Sequence, residues 1–120
     1  MRQLTIGLIS TFLMSWAASA QSQTPESPIV VTAKAGPCVM TVRGEDLAFL
    51  IVVTGLLPGE TLQITSNSEG EIRKWTSQAQ DDGRYGTIIL PAVTGKSFGS
   101  ANLEVVGKRC RIEASYPWRE

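Results

Sequence analysis

The chain of 120 residues carries 11 basic and 11 acidic side chains, for a formal net charge of +0. That balance, without any basic run, argues against a nucleic-acid or anionic-membrane surface. Histidine is absent, which removes Ser-His-Asp and Cys-His nucleophiles and the commonest nitrogen ligand of zinc.

The N-terminus reads as a signal peptide over residues 1–20. Arg2 supplies a positive region, Leu4 to Trp16 a short apolar region, and Ala18-Ser19-Ala20 a small-residue cleavage motif. The apolar run is short for a membrane span and polar residues follow at once, so no membrane insertion is expected after cleavage. The flanks look bacterial, which places the product in the periplasm or outside the cell. Removing Arg2 leaves ten basic residues against eleven acidic ones. Residues 21–28, polar with two prolines, form a flexible leader. Residues 29–120 are the size of one domain, with surface enough for one core.

Ile29 to Lys34 is a β-like run suited to an edge, broken by Ala35-Gly36-Pro37. In Cys38 to Arg43, alternation sets Cys38, Met40 and Val42 on one face, predicted to be core. Leu47 to Thr65 is the centre of the chain: two strands joined by Leu57-Pro58-Gly59-Glu60, a type II turn by composition. Its first arm puts Leu47, Phe49, Ile51 and Val53 on one face and Ala48, Leu50 and Val52 on the other. An apolar outer face has two explanations, cover by the Ile29 segment or a loop, or a surface for self-association or a partner. In the second arm Leu62 and Ile64 face the core. Glu71 to Ser77, Tyr85 to Ala92, Ala101 to Val106 and Arg109 to Tyr116 are the remaining strands. Thr94 to Ser100 reads as a loop, and Asp82-Gly83 as a turn. Trp75 is expected to point inward.

Short strands with turn signals every eight to twelve residues and no helical period predict an all-β, Ig-like antiparallel sandwich of about seven strands. Cys38 and Cys110 both lie in the exported part, and an oxidising compartment makes a structural disulfide between them the expectation. A redox or metal role is not favoured, since the spacing is not C-x-x-C and histidine is missing.

Gly55-Leu56-Leu57-Pro58-Gly59-Glu60, Trp75-Thr76-Ser77 and Asp82-Gly83 together resemble bacterial Ig-like and fibronectin III-like modules. The same residues are similar to the β-sandwich that precedes the catalytic domain in acyl-CoA thioesterases of the bile-acid-conjugating type. The resemblance covers about forty residues and implies a fold. Those modules are accessory domains, so it brings no catalytic residue with it.

No cofactor, metal site or catalytic set is expected. Glu69, Glu71, Asp81 and Asp82 are acids in turns, not carboxyls facing across a cleft. Gly95-Lys96-Ser97 lacks the upstream glycine of a phosphate loop, Leu90 standing in its place. Lys108, Arg109 and Arg111 read as a charged edge. Tyr116-Pro117-Trp118 can fold back as a plug or stay out as a contact. The binding candidates are therefore Leu50, Val52, Tyr116 and Trp118. The expected function is a non-enzymatic protein-interaction module of the bacterial envelope, bound to another envelope or secreted protein, with self-association a possibility. The alternative is a carbohydrate- or small-ligand-binding module using exposed aromatics, which an exposed Trp75 beside Tyr85 would favour.

Overall fold

A computed structural model describes residues 27–120. The expected signal peptide, and all of the leader but Ser27 and Pro28, lie outside the described residues. Eight strands follow in order: β1 (Ile29–Ala35), β2 (Cys38–Glu45), β3 (Ala48–Thr54), β4 (Thr61–Ser68), β5 (Glu71–Gln78), β6 (Tyr85–Ile89), β7 (Phe98–Val106) and β8 (Arg111–Arg119). They form two antiparallel sheets, β1-β2-β3-β6 (sheet A) and β5-β4-β7-β8 (sheet B). The result is a β-sandwich with eight strands where about seven were expected.

Period-2 alternation fills the space between the sheets. Sheet A contributes Cys38, Met40, Val42, Phe49, Ile51, Val53, Tyr85 and Ile89 to the core. Sheet B contributes Leu62, Ile64, Leu103, Val105, Ile112, Tyr116 and Trp118. Phe49 of β3 and Tyr116 of β8 meet across the interior with ring centroids 4.7 Å apart. The alternation expected of β2 and β4 is present. Leu47 is a correction: it sits in the turn before β3 begins and is exposed, so the core face of that strand starts at Phe49.

The C-terminal strands also differ from expectation. Phe98, Gly99 and Ser100 pair with Arg119, Trp118 and Pro117, so β7 starts inside the stretch expected to be a loop. The same pairing carries β8 past Tyr116 to Arg119, and alternation puts Tyr116 and Trp118 on its inner face at 1% and 2% exposure. Their reading as contact residues is thereby corrected. The Trp118 indole N–H donates to Ser68 Oγ at 3.0 Å, and that hydroxyl donates to the Pro91 carbonyl at 2.6 Å. A buried polar pair thus ties sheet B to the segment after β6. The Tyr116 hydroxyl has no hydrogen-bond partner among the described residues. Burial pushes its pKa up to about 12.

One end of the sandwich is fastened twice. Cys38, at the start of β2, is bonded to Cys110, which stands between the 108–109 bend and β8 rather than inside the final strand. Loop entropy over a separation of 72 residues sets a ceiling of about 4.4 kcal/mol on what the bond contributes. Beside it, the buried Glu60 carboxylate accepts the Leu57 N–H at 2.6 Å and the Lys108 N–H at 2.6 Å. The 57–60 turn, with Gly59 at φ 71, is thereby joined to the β7–β8 hairpin. A Cβ on Gly107 would stand 2.7 Å from Glu60 Oε1, so a side chain there would displace the Glu60 carboxyl.

Two outcomes follow for stability. Glu60→Ala strands two backbone donors and is expected to cost about 3 kcal/mol in urea unfolding, since each bond to a charged group is worth about 1.5–3 kcal/mol. Tyr116→Phe removes a hydroxyl without a partner and should be neutral or stabilising by up to about 1 kcal/mol at neutral pH. The wild type should also lose stability as pH rises from 10.0 toward 12, because the unfolded phenol ionises first and the unfolded state then holds fewer protons. That contribution is absent from Tyr116→Phe, which unfolding titrations at alkaline pH will read directly.

Candidate functional site

Sheet B presents Gln63, Asn67, Glu113 and Ser115 on its outer face, with Ile72 beside Asn67 and Phe98 opposite Arg119 toward one end. On sheet A the pairing registers place Ile29, Arg43, Leu50 and Ile88 in one line across all four strands. Ile29, Leu50 and Ile88 are 53%, 43% and 69% exposed. Val52 lies on the same face next to Leu50 and is half-buried by its neighbours. Leu90, just beyond β6, is exposed as well.

The Ile29 segment does not cover this face. β1 hydrogen-bonds alongside β2 as an edge strand, so it widens the sheet rather than roofing it. Arg43 lies in the line and donates from its guanidinium to the Ser27 carbonyl at 3.2 Å. Sequence reasoning found Leu50 and Val52 through the apolar alternation of β3. It missed Ile29 and Ile88, which join them only through strand order, a long-range fact that no local pattern encodes.

Among the described residues, the exposed large hydrophobics are gathered in one half of the sandwich. Ile29, Leu47, Leu50, Ile72, Ile88, Leu90 and Phe98 lie toward the end holding the 46–47 and 69–70 turns. An open hollow of about 740 Å³ at that end is lined by Val30, Phe49, Phe98 and the ion pair of Arg119 with Asp46, whose atoms are 3.3 Å apart. The fastened end, with Cys38–Cys110 and Glu60, is opposite. Phe98 was invisible to sequence reasoning because its stretch resembled a glycine-bearing loop.

Between β5 and β6 the sheets part to leave a cleft of about 350 Å³, lined by Ser66, Arg73, Trp75, Thr87, Ile89 and Leu90 among others. Trp75 faces inward opposite Ile64, as expected, and its indole N–H donates to the Tyr85 hydroxyl at 3.2 Å. Tyr85 is buried and Trp75 half-buried. The two aromatics use their polar atoms on each other and form no open paired platform for a sugar ring.

Each of the turn acids expected to be solvated has a definite place. Glu71 pairs with Arg73 at 2.8 Å, Asp82 accepts the Arg84 N–H at 3.1 Å, and Asp81 is exposed. Glu69 accepts the Ser100 N–H at 2.8 Å and the Lys96 ammonium at 3.1 Å. Lys96, in the Gly95-Lys96-Ser97 stretch, is thus engaged with a carboxylate. Arg111 lies 3.6 Å from Glu104, while Lys108 and Arg109 are exposed. Among the described residues no group of three His, Cys, Asp or Glu side chains could hold a metal ion. No helix among them is long and apolar enough to cross a membrane.

No protein-family model, curated protein or solved structure matches the chain.

The Ser100 backbone N–H, and then Lys96, hold the Glu69 carboxyl below its ordinary value of 4.5. An NMR titration of the side-chain carbon should find its midpoint under that value. Lys96→Met should move the midpoint upward without restoring it fully, because the Ser100 bond remains.

Proposed function

We propose that this chain is a small exported Ig-like module that works by contact with another envelope or secreted protein, not by catalysis. The observation that carries the reading is the exposed pair Leu50 and Ile88 on the outer face of sheet A, with Val52 beside them and Ile29 beyond Arg43 in the same line. Exposed large apolar side chains grouped on one sheet face mark a contact surface. Leu50 and Val52 lie at the middle of the sheet, where an interface core would form. The Ig-like assignment is supported by the chain changing sheet after β3, β5 and β6, as a Greek-key sandwich requires. Export is supported by the signal-like residues 1–20 and by the Cys38–Cys110 disulfide, which an oxidising compartment sustains.

The ligand-binding alternative draws only on Trp75 and on the cleft beside it. Burial of Tyr85 leaves it with less support than the protein-contact reading.

A photo-crosslinking residue placed at position 50 of the exported chain should capture one recurrent protein in the native envelope. Leu50→Asp, with unchanged circular dichroism, should weaken that association tenfold or more, since full burial of a leucine is worth about 1.5–3 kcal/mol. Capture of background proteins only, or unchanged affinity in the variant, would sink the proposal.

A further inference from the structure

The four edge strands are unequally protected against pairing with another chain. β1 has an irregular register between Ile29 and Val31 and carries Lys34. β5 turns Glu71 and Arg73 toward the cleft and Lys74 outward. β8 carries Arg111, Glu113, Pro117 and Arg119. Charges, proline and bulges are the usual devices that keep an edge from adding a strand. β6, Tyr85-Gly86-Thr87-Ile88-Ile89, has no charge, proline or bulge, and only its length of five residues limits the edge it offers. Its register with β3 is unbroken from Val53↔Tyr85 to Phe49↔Ile89, and sheet A stops there. Among the described residues, no hydrogen bond from a loop or side chain reaches the 85–89 backbone on its open side.

We infer that β6 pairs antiparallel with β6 of a second copy, about a two-fold axis at Thr87. In that register Thr87 lies opposite Thr87 of the other copy, Tyr85 opposite Ile89, and Gly86 opposite Ile88. Threonine pairs and aromatic–β-branched pairs are among the favourable cross-strand neighbours. The exposed Ile88 side chain lies over Gly86, which has no side chain to obstruct it. Sliding two residues one way sets Arg84 against Ile88. Sliding the other way brings Pro91, which has no N–H, against Tyr85. The Thr87 register alone keeps both outside the ladder. It buries no charge, and with ten basic residues against eleven acidic ones after removal of Arg2 the exported copies repel only weakly. The contact is isologous, so it consumes both β6 edges and closes at two copies. Edges this short make a small interface, and the dimer should half-dissociate at concentrations on the order of 10 µM or above.

This pairing shares Ile88 with the Leu50 face but stands on the β6 backbone edge, so Gly86→Val tests it and Leu50→Asp tests the face, and the two readings fail separately. Both cysteines of the chain are in the disulfide, which makes Thr87→Cys the sole thiol of that variant. Under mild oxidation Thr87→Cys should give a covalent dimer, while Thr76→Cys on the protected β5 edge should not. Sedimentation velocity on the oxidised exported chain, from low micromolar to near-millimolar concentration, should show a reversible monomer–dimer equilibrium. Gly86→Val should weaken it at least tenfold without disturbing the monomer, since an added Cβ meets nothing closer than 3.8 Å. Leu50→Asp should leave it intact. A single monomeric boundary at every concentration would overturn the inference, as would equal crosslinking at positions 87 and 76. So would a dimer indifferent to Gly86→Val.

Discussion

The bond between Cys38 and Cys110 joins the first residue of β2 in sheet A to the approach of β8 in sheet B. Two sheets facing one another are otherwise held only by side-chain packing, which tolerates sliding. A covalent tie at one end fixes how they sit at that end, while the opposite end is held by the core and by non-covalent bonds such as that of the Arg119 N–H to the Asp46 carbonyl at 3.0 Å. The molecule is built around that asymmetry. Glu60 doubles the fastening on the disulfide side, and the apolar surface collects on the other.

At the unfastened end the register is held by larger side chains and by polar atoms in pairs. Phe49 and Tyr116 meet between the sheets, and Trp118, Ser68 and Pro91 form a short buried chain of hydrogen bonds. Ser66 and Ser68 occupy inward positions of β4 that Leu62 and Ile64 hold further along. The interior therefore becomes more polar just where β5 and β6 part. A sandwich end filled with leucine and isoleucine would close. This one stays open as a cleft beside an unprotected edge.

Much of the fold was legible because alternation is a local signal. Cys38 to Val42 and Leu62 to Ile64 declare their buried faces in the residues themselves, and Pro58-Gly59 declares its turn. Leu47 misled because an apolar residue next to a strand looks like part of it, while pairing begins one residue later. Phe98 and Trp118 misled in the opposite sense. A glycine and two serines around Phe98, and a proline before Trp118, imitate loop composition, yet each segment supplies the other's ladder. Mutual pairing of two weak segments cannot be seen in either one. The candidate face was half legible for the same reason: β3 announced Leu50 and Val52, whereas Ile29 and Ile88 joined them through strand order alone.

Glu60 is the residue least visible from sequence, since a glutamate after Pro-Gly looks like ordinary turn composition. Its two partners are main-chain N–H groups of Leu57 and Lys108, not side chains. Any residue except proline offers that donor, so positions 57 and 108 are free to drift while position 60 is not. Divergence in a fold fastened this way would leave no correlated pair of substitutions to betray the contact. The fastening would persist as a solitary acid in a turn, opposite a glycine that lets the chain come close.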